Sequence, residues 1–363
     1  MDEYSDRTKE EDEDVLLSAA IEGMFLNSEL FDHQRGASNK GYKKIDMGTL
    51  VLSTQNLHLG NANVNLRFNH GMVSPAYKTY HIHDCSIELI AEWVKSEKAK
   101  RFFYDATTVG ASVCRRNVEW DTLYDQPLYL PSEAEQERLA TFLTTLSARI
   151  KKQTELVEHL KKYKRGVLEQ FIATFQSNNA SFVSLKEITQ IYDGTHQTPN
   201  YQTHGVKFVS VENIESLLDT RKYISKEDFE KEFKISPSKG DVLMTRIGDI
   251  GRSSYVDFDT PIAFYVSLAL FKCKNQLDGR YLAHYIMSNA FQEQLWKRTL
   301  HIAFPKKINT CEIGECEILL PSLDDQRHCA KLLDSIDLLI NKNQKILEYL
   351  TTQRLGILQQ IFI

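Results

Sequence analysis

Residues 130–172 and 320–362 are two copies of one sequence, and no other feature restricts the fold as much. A constant offset of 190 aligns them without a gap. Thirteen of the 43 aligned positions are identical, among them Leu130/Leu320, Pro131/Pro321, Ser132/Ser322, Gln136/Gln326, Gly166/Gly356 and Gln170/Gln360. Repetition on this scale means one structural unit used twice.

Both copies predict a long helix. A proline followed by serine and acidic residues marks the start of each. Steps of four and three from Leu139 reach Leu143, Leu146, Ile150, Gln153, Val157, Leu160, Lys164, Val167 and Phe171. The same steps from Cys329 reach Leu333, Ile336, Ile340, Asn343, Leu347, Leu350, Arg354, Ile357 and Ile361. Both series are apolar except at matching places, where Gln153 pairs with Asn343 and Lys164 with Arg354. That is the seam of a coiled coil, and its polar breaks set register. At about 1.5 Å per residue each helix is roughly 50–60 Å long. A repeat within one chain brings two such helices together about a pseudo-twofold axis, so an antiparallel pair is expected.

The segments outside the helices also match. Asp46–Ser53 and Ser238–Thr245 each run from a glycine turn into an apolar strand, then into a loop with a later glycine, Gly60 and Gly251. Each segment then offers one amphipathic helix, near Ser86–Tyr104 and Tyr281–Leu300. Each closes on a short basic stretch, Cys114–Asn117 and Pro305–Ile308. The expected organisation is α+β. Two mixed α/β domains, 1–129 and 181–319, alternate with two long helices, 130–180 and 320–363, that form an antiparallel coiled coil with a pseudo-twofold internal repeat.

Composition sets further bounds. A chain of 363 residues with 42% hydrophobic and 26% charged residues is globular and holds two or three domains. No apolar run approaches the roughly 18 residues of a membrane span. The acidic start reads as neither a signal nor a transit peptide. Cys85, Cys114, Cys273, Cys311, Cys316 and Cys329 form no Cys-x-x-Cys pair, as expected of reduced, cytosolic thiols. The net charge of -5 would argue against nucleic acid as a partner, but residues 1–14 carry eight acids and two bases, and the other 349 residues sum to +1.

Enzyme signatures are missing. The sequence has no P-loop, no dinucleotide or S-adenosylmethionine glycine loop after a strand, and no Gly-x-Ser-x-Gly elbow. Ser74-Pro75-Ala76-Tyr77 lacks the second proline of an amino-methyltransferase loop and reads as a turn. His81, His83 and Cys85 alternate along one strand face, but no second ligand pair at zinc spacing accompanies them.

The paired segments resemble the specificity subunits of type I restriction–modification systems. Leu130-Pro131 with Glu135-Gln136, and Leu320-Pro321 with Asp325-Gln326-Arg327, are similar to the motif that closes each half of that family. Lys239–Leu243, Gly248, Gly251 and Gly205–Asn213 are similar to its target recognition domains, as are Leu16–Gly23 and Gly71–Tyr77. The resemblance spans essentially the full chain. Family members often carry more sequence before the first domain, which leaves open whether that domain is N-terminally shortened.

The resemblance implies a non-catalytic, cytoplasmic bacterial protein without membrane contact, associated with the nucleoid when on DNA. Two target recognition domains bind the halves of a bipartite, asymmetric double-stranded DNA target, and the helix pair is the ruler between them. Two modification subunits supply the adenine methyltransferase chemistry and bind the S-adenosylmethionine, so no cofactor is expected in this chain. Restriction subunits, with endonuclease and translocase activity, join to make the nuclease. Arg115, Arg116, Lys306 and Lys307 are the candidates for phosphate contacts. Gln55, Asn56 and His58 in the first domain, and His196, Gln197, Asn200, Arg246 and Arg252 in the second, are candidates for reading bases. Residues 149–165, with seven basic and two acidic side chains, form either a solvated helix face or a contact for acidic surfaces of the modification subunits. The competing reading is a coiled-coil adaptor whose globular parts bind protein. A stand-alone methyltransferase or nuclease is a third, disfavoured by the missing loops.

Overall fold

The computed structural model describes residues 1–31, 38–112 and 115–361; Cys114 lies outside them. Contacts group the chain into two units, Met1–Glu155 with Gln344–Ile363, and Leu156–Asn343. The long helices are Glu133–Ser177 and Leu323–Ile361. Each gives one half to each unit, because its two ends pack into different cores.

The two units carry the same sheet. In the first, the strands lie in the order Asp2–Tyr4, Tyr77–His81, Leu50–Ser53, Ala62–Val64. In the second the order is Thr189–Asp193, Leu268–Cys273, Val242–Thr245, Ser253–Tyr255. All neighbours are antiparallel, and Leu50 faces Tyr80 as Val242 faces Phe271. The central strand of each sheet follows a glycine with positive φ, Gly48 at 86° and Gly240 at 102°, a conformation glycine adopts without a Cβ clash. The sequence repeat of the helices therefore extends through the globular parts.

Behind each sheet the sequence predicts one amphipathic helix, but two are present. Ile87–Trp93 is followed by Glu97–Asp105, and Gly279–Ile286 by Asn289–Arg298. The break is a serine cap. Ser96 accepts the Ala99 N–H at 3.1 Å and Ser288 accepts the Phe291 N–H at 3.3 Å, which satisfies orphan donors at each second start.

These helices and sheets bury their apolar faces on the long helices. In the first unit Leu50, Leu89, Trp93 and Phe103 share a core with Leu143 and Leu358. In the second, Val242, Phe271, Tyr281 and Tyr285 share one with Leu168, Ile172, Leu333 and Ile336. The long helices run antiparallel within each unit. Lys164 pairs with Asp337 at 2.6 Å and Phe171 meets the His328 ring at 6.0 Å in the second unit, while Arg354 donates to Ser147 at 3.2 Å in the first. The 190-residue offset turns 164 into 354 and 147 into 337, so one pseudo-symmetric contact is made twice. Arg354 also ion-pairs with Glu92. Along the expected seam the side chains range from buried to half-buried. Leu143, Val157, Leu333, Ile336 and Ile340 are buried, and Leu146, Ile150, Gln153, Leu160, Asn343, Leu347 and Leu350 are half-buried.

The repeated glutamines join helix to domain. The Gln136 side chain accepts the Ser86 N–H at 2.9 Å and donates to Pro131 O at 3.0 Å. Gln326 accepts the Asp278 N–H at 2.9 Å and donates to Pro321 O and Gln276 O, both at 3.0 Å. Ser86 and Asp278 are the N-caps of the equivalent helices Ile87–Trp93 and Gly279–Ile286. Gln326 is fully buried, so Gln326→Ala strands three backbone groups. It is expected to cost about 1–3 kcal/mol, read as a lowered urea midpoint of the second unit. An unchanged midpoint would remove this glutamine from the folding account.

A second clasp joins Asp334 on the long helix to His284 at 2.8 Å and Arg280 at 2.7 Å. Burial pushes the Asp334 carboxyl up, but the hydrogen bonds from His284 and Arg280 outweigh it and hold the group below its ordinary value.

Candidate nucleic-acid interface

The antiparallel order brings a set of connections to one end of each sheet. In the second unit the strands Thr189–Asp193 and Val242–Thr245 finish there, and Ser253–Tyr255 and Leu268–Cys273 begin there. Every candidate of that unit except Lys306 and Lys307 follows one of these strand ends, and a hairpin adds those two lysines. Gly248 N–H donates to Lys306 O at 2.9 Å, Ile308 N–H to Arg246 O at 3.0 Å, and Leu300 N–H to Lys307 O at 2.8 Å. Lys306 and Lys307 are exposed beside the strand-exit loop. The loop turns back at Gly251, φ 93°, where a Cβ would come within 2.6 Å of the Gln292 amide.

Arg246 departs from the expected role of a solvent-facing base reader. It is only 7% exposed. Its guanidinium donates to Ile308 O at 3.1 Å, Asp193 Oδ2 at 3.1 Å and Val266 O at 3.2 Å. These bonds tie together three connections at the sheet end. Arg246 thus shapes the surface from beneath it. Five donors on a rigid fork suit that task.

The remaining candidates of this unit are on the surface. His196 is exposed, 3.3 Å from Asp193, and Gln197 and Asn200 are exposed on the same connection. Arg252 is exposed, 3.0 Å from Asp249 and 3.7 Å from Glu215. Ion pairs between exposed groups are weak enough to exchange for a stronger anion. The hairpin also presents two apolar side chains that the sequence patterns do not single out, Ile302 and Phe304, which are essentially fully exposed. Their signal is local: Phe304 stands immediately before Pro305-Lys306-Lys307.

In the first unit the same sheet end carries Gln55, Asn56 and His58. Gln55 and Asn56 are exposed on the turn after Leu50–Ser53, and Ser53 Oγ accepts their N–H groups at 3.4 and 3.2 Å. His58 follows, half-buried, in a short 3-10 turn anchored by the buried Leu57. Burial and the Arg116 charge both hold the His58 ring below its ordinary pKa, so it is neutral near neutrality. Arg116 lies on the strand Arg115–Val118, which pairs with Thr107–Ser112. Its guanidinium donates to Thr107 Oγ1 at 2.7 Å and Thr107 O at 2.8 Å and stacks 4.1 Å from the Tyr104 ring centre. Arg115 pairs with Ser112, and the register of the two strands shifts between Arg115 and Arg116. Arg246 has no counterpart here: Thr54 holds the equivalent turn through a 2.7 Å bond to Ala76 O.

Among the described residues no cluster of His, Cys, Asp and Glu could hold a metal. His81 stacks on Tyr4 at 3.8 Å and His83 lies 3.3 Å from Asp2, so neither points to a shared ligand. Among the described residues no helix is long and apolar enough to cross a membrane.

A fold of two α/β units, each with a loop-rich, partly basic sheet end and half of a helix pair, defines a class of modular recognition protein. Residues 178–352 match the profile of the type I restriction modification DNA specificity domain. That match covers just under half of the chain, and it makes the chain similar to the specificity subunits of type I restriction–modification systems. It is similar to the type I restriction enzyme MjaVIII specificity subunit of Methanocaldococcus jannaschii, with 24% identity over 274 residues; the match covers 69% of this chain and 64% of that relative. The chain thus spans just under two thirds of that protein. The fold is similar to the S subunit of a type I restriction–modification system from M. genitalium, with TM-score 0.59, 14% identity, and coverage of 100% of this chain and 98% of that one. It is also similar to a chain from a type I system solved to describe complex assembly and conformational transition, with TM-score 0.57, 17% identity, and coverage of 99% and 94%.

Proposed function

We propose that this chain is the DNA sequence-recognition subunit of a type I restriction–modification complex. The observation that carries the reading is the equivalent sheet end in both units, where candidate polar and basic side chains surround the same strand turns. Lys306 and Lys307 in the second unit and Arg116 in the first supply phosphate contacts. Gln55, Asn56, His196, Gln197, Asn200 and Arg252 face the grooves. Because the two units present different side chains, the target is bipartite and asymmetric.

Catalysis belongs to the partners in this reading. Two modification subunits bring the methyltransferase chemistry and bind S-adenosylmethionine, and restriction subunits add cleavage. The long helices suit such partners. Leu338 is 71% exposed on the second helix and Tyr163 61% on the first, apolar surface that a protein can cover.

The salt dependence of binding tests the interface. Removing one lysine from a phosphate reduces the slope of log affinity against log salt by about 0.9. Lys306→Ala with Lys307→Ala is expected to flatten it by about 2 and to weaken all sequences alike, measured in the complex with its modification subunits. An unaltered slope would remove the two lysines from the interface. A wild-type slope near zero would favour the adaptor reading.

A further inference from the structure

At the tip of the hairpin that carries Lys306 and Lys307, Ile302 is 99% exposed and Phe304 is fully exposed, more than any other large apolar side chain among the described residues. The base of the hairpin is fixed. Leu300 N–H donates to Lys307 O at 2.8 Å, and Ala303 N–H to Leu300 O at 3.4 Å. His301 Nε2 donates to Trp296 O at 2.9 Å, and the two rings lie 4.7 Å apart. Lys307 also bridges to Ile247 in the strand-exit loop. The tip therefore projects from a held stem, beside the loop that bears Arg252.

The charge around the tip has one sign. Residues 297–308 hold Lys297, Arg298, His301, Lys306 and Lys307 and no acid. Glu293 pairs with Lys297 at 2.6 Å and Glu312 with Arg298 at 3.4 Å. Among the described residues, neither Lys306 nor Lys307 takes part in an ion pair. Phe304 stands two residues from Lys306, within about 7 Å along the backbone. An apolar protein surface over the tip would leave these two cations without a counter-charge. A nucleic-acid duplex answers both features, with phosphates for the lysines and stacked base pairs for the apolar side chains. At the 190-residue offset the sequence has Ser112 and Cys114 in place of Ile302 and Phe304, so the apolar pair is peculiar to the second unit's sequence.

Resting on the DNA-recognition reading, we propose that this tip is a wedge that enters between two base pairs of the second half-site. Lys306 and Lys307 hold the flanking phosphates, Phe304 fills the opened step and Ile302 covers its edge. Partial unstacking by such a wedge kinks a duplex by about 20–90°. Pyrimidine–purine steps, TA and CA/TG, open most readily. Phe304 is thus a specificity-determining residue: it makes the second half-site favour such a step without a hydrogen bond to either base. The kink falls in the second half-site only.

The test uses the chain with its modification subunits and duplexes carrying the motif methylated in the host. 2-Aminopurine, whose fluorescence rises on unstacking, replaces one purine at a time across the second half-site. Wild type is expected to raise the signal at one step away from the methylated adenine, and energy transfer between dyes on the duplex ends reads the kink. Phe304→Ala, a fully exposed change that spares the core, should abolish the rise, straighten the duplex and weaken binding at least ~10-fold. The slope of log affinity against log salt should stay as in wild type, because both lysines remain. Phe304→Trp should restore the rise. No unstacked step in wild type, or an equal rise in Phe304→Ala, overturns the wedge. A steep wild-type salt slope in the same experiment then leaves the DNA-recognition reading standing, whereas a slope near zero removes both. Loss of a modification subunit from the Phe304→Ala complex, with the rise retained, assigns the tip to a protein contact and also overturns the wedge.

Discussion

Exchanging residues 181–319 for the second domain of another specificity subunit is expected to replace one half of the recognised motif completely and leave the other half unchanged. Every candidate contact of the second unit lies inside that span, from His196 to Lys307. The first unit's Gln55, Asn56, His58 and Arg116 lie outside it. The boundaries are favourable because Ser181–Ser184 and most of its partner strand Glu317–Leu320 travel together. The retained surfaces, Leu168, Ile172 and Leu333, accept an incoming domain if it keeps residues of the size of Tyr281 and Tyr285. The measurement is the methylated motif in cells that carry the chimera with the modification subunit. If both halves change together, the two units do not read DNA independently.

The second large effect is expected at Arg246. Arg246→Ala removes three hydrogen bonds from a nearly buried guanidinium. It leaves Ile308 O and Val266 O without their donor and Asp193 without its cation. Asp193 is partly exposed and solvent screens its loss, so the carbonyls carry most of the cost. A destabilisation on the order of 2–4 kcal/mol is expected in urea unfolding of the second unit. DNA affinity should fall with it, because the connections bearing His196, Gln197, Lys306 and Lys307 lose their common anchor. Arg246→Lys keeps the charge but not the fork, and should recover only part of either loss. A change below about 0.5 kcal/mol with full DNA binding would show that the three connections hold without this residue.

The architecture is readable from the chain because its strongest signals are local and repeated. The 190-residue offset and the seam from Leu143 to Leu160 and from Leu333 to Leu350 lie along single helices. Their periodicity survives whatever packs on them. The paired strands after Gly48 and Gly240 are legible for the same reason. The split into two helices at Ser96 and Ser288 is hidden, although Ser96-Glu97 is a local start signal, because the apolar spacing runs on across it. What sequence could not place is held by distant partners. Arg246 looks like one more loop arginine until its acceptors, 53 to 62 residues away in Asp193 and Ile308, close around it. Gln136 and Gln326 stand out as repeated positions, yet their hydrogen bonds go to Ser86 and Asp278, about 50 residues back.

The most direct test is a comparison of genomic methylation in a host with its modification subunit present, with and without this chain. A split motif with two specified halves and an unspecified spacer is expected, methylated on adenine only when the chain is expressed. Methylation that is the same in both strains, or a motif without two halves, would contradict the assignment of the two units as paired DNA readers.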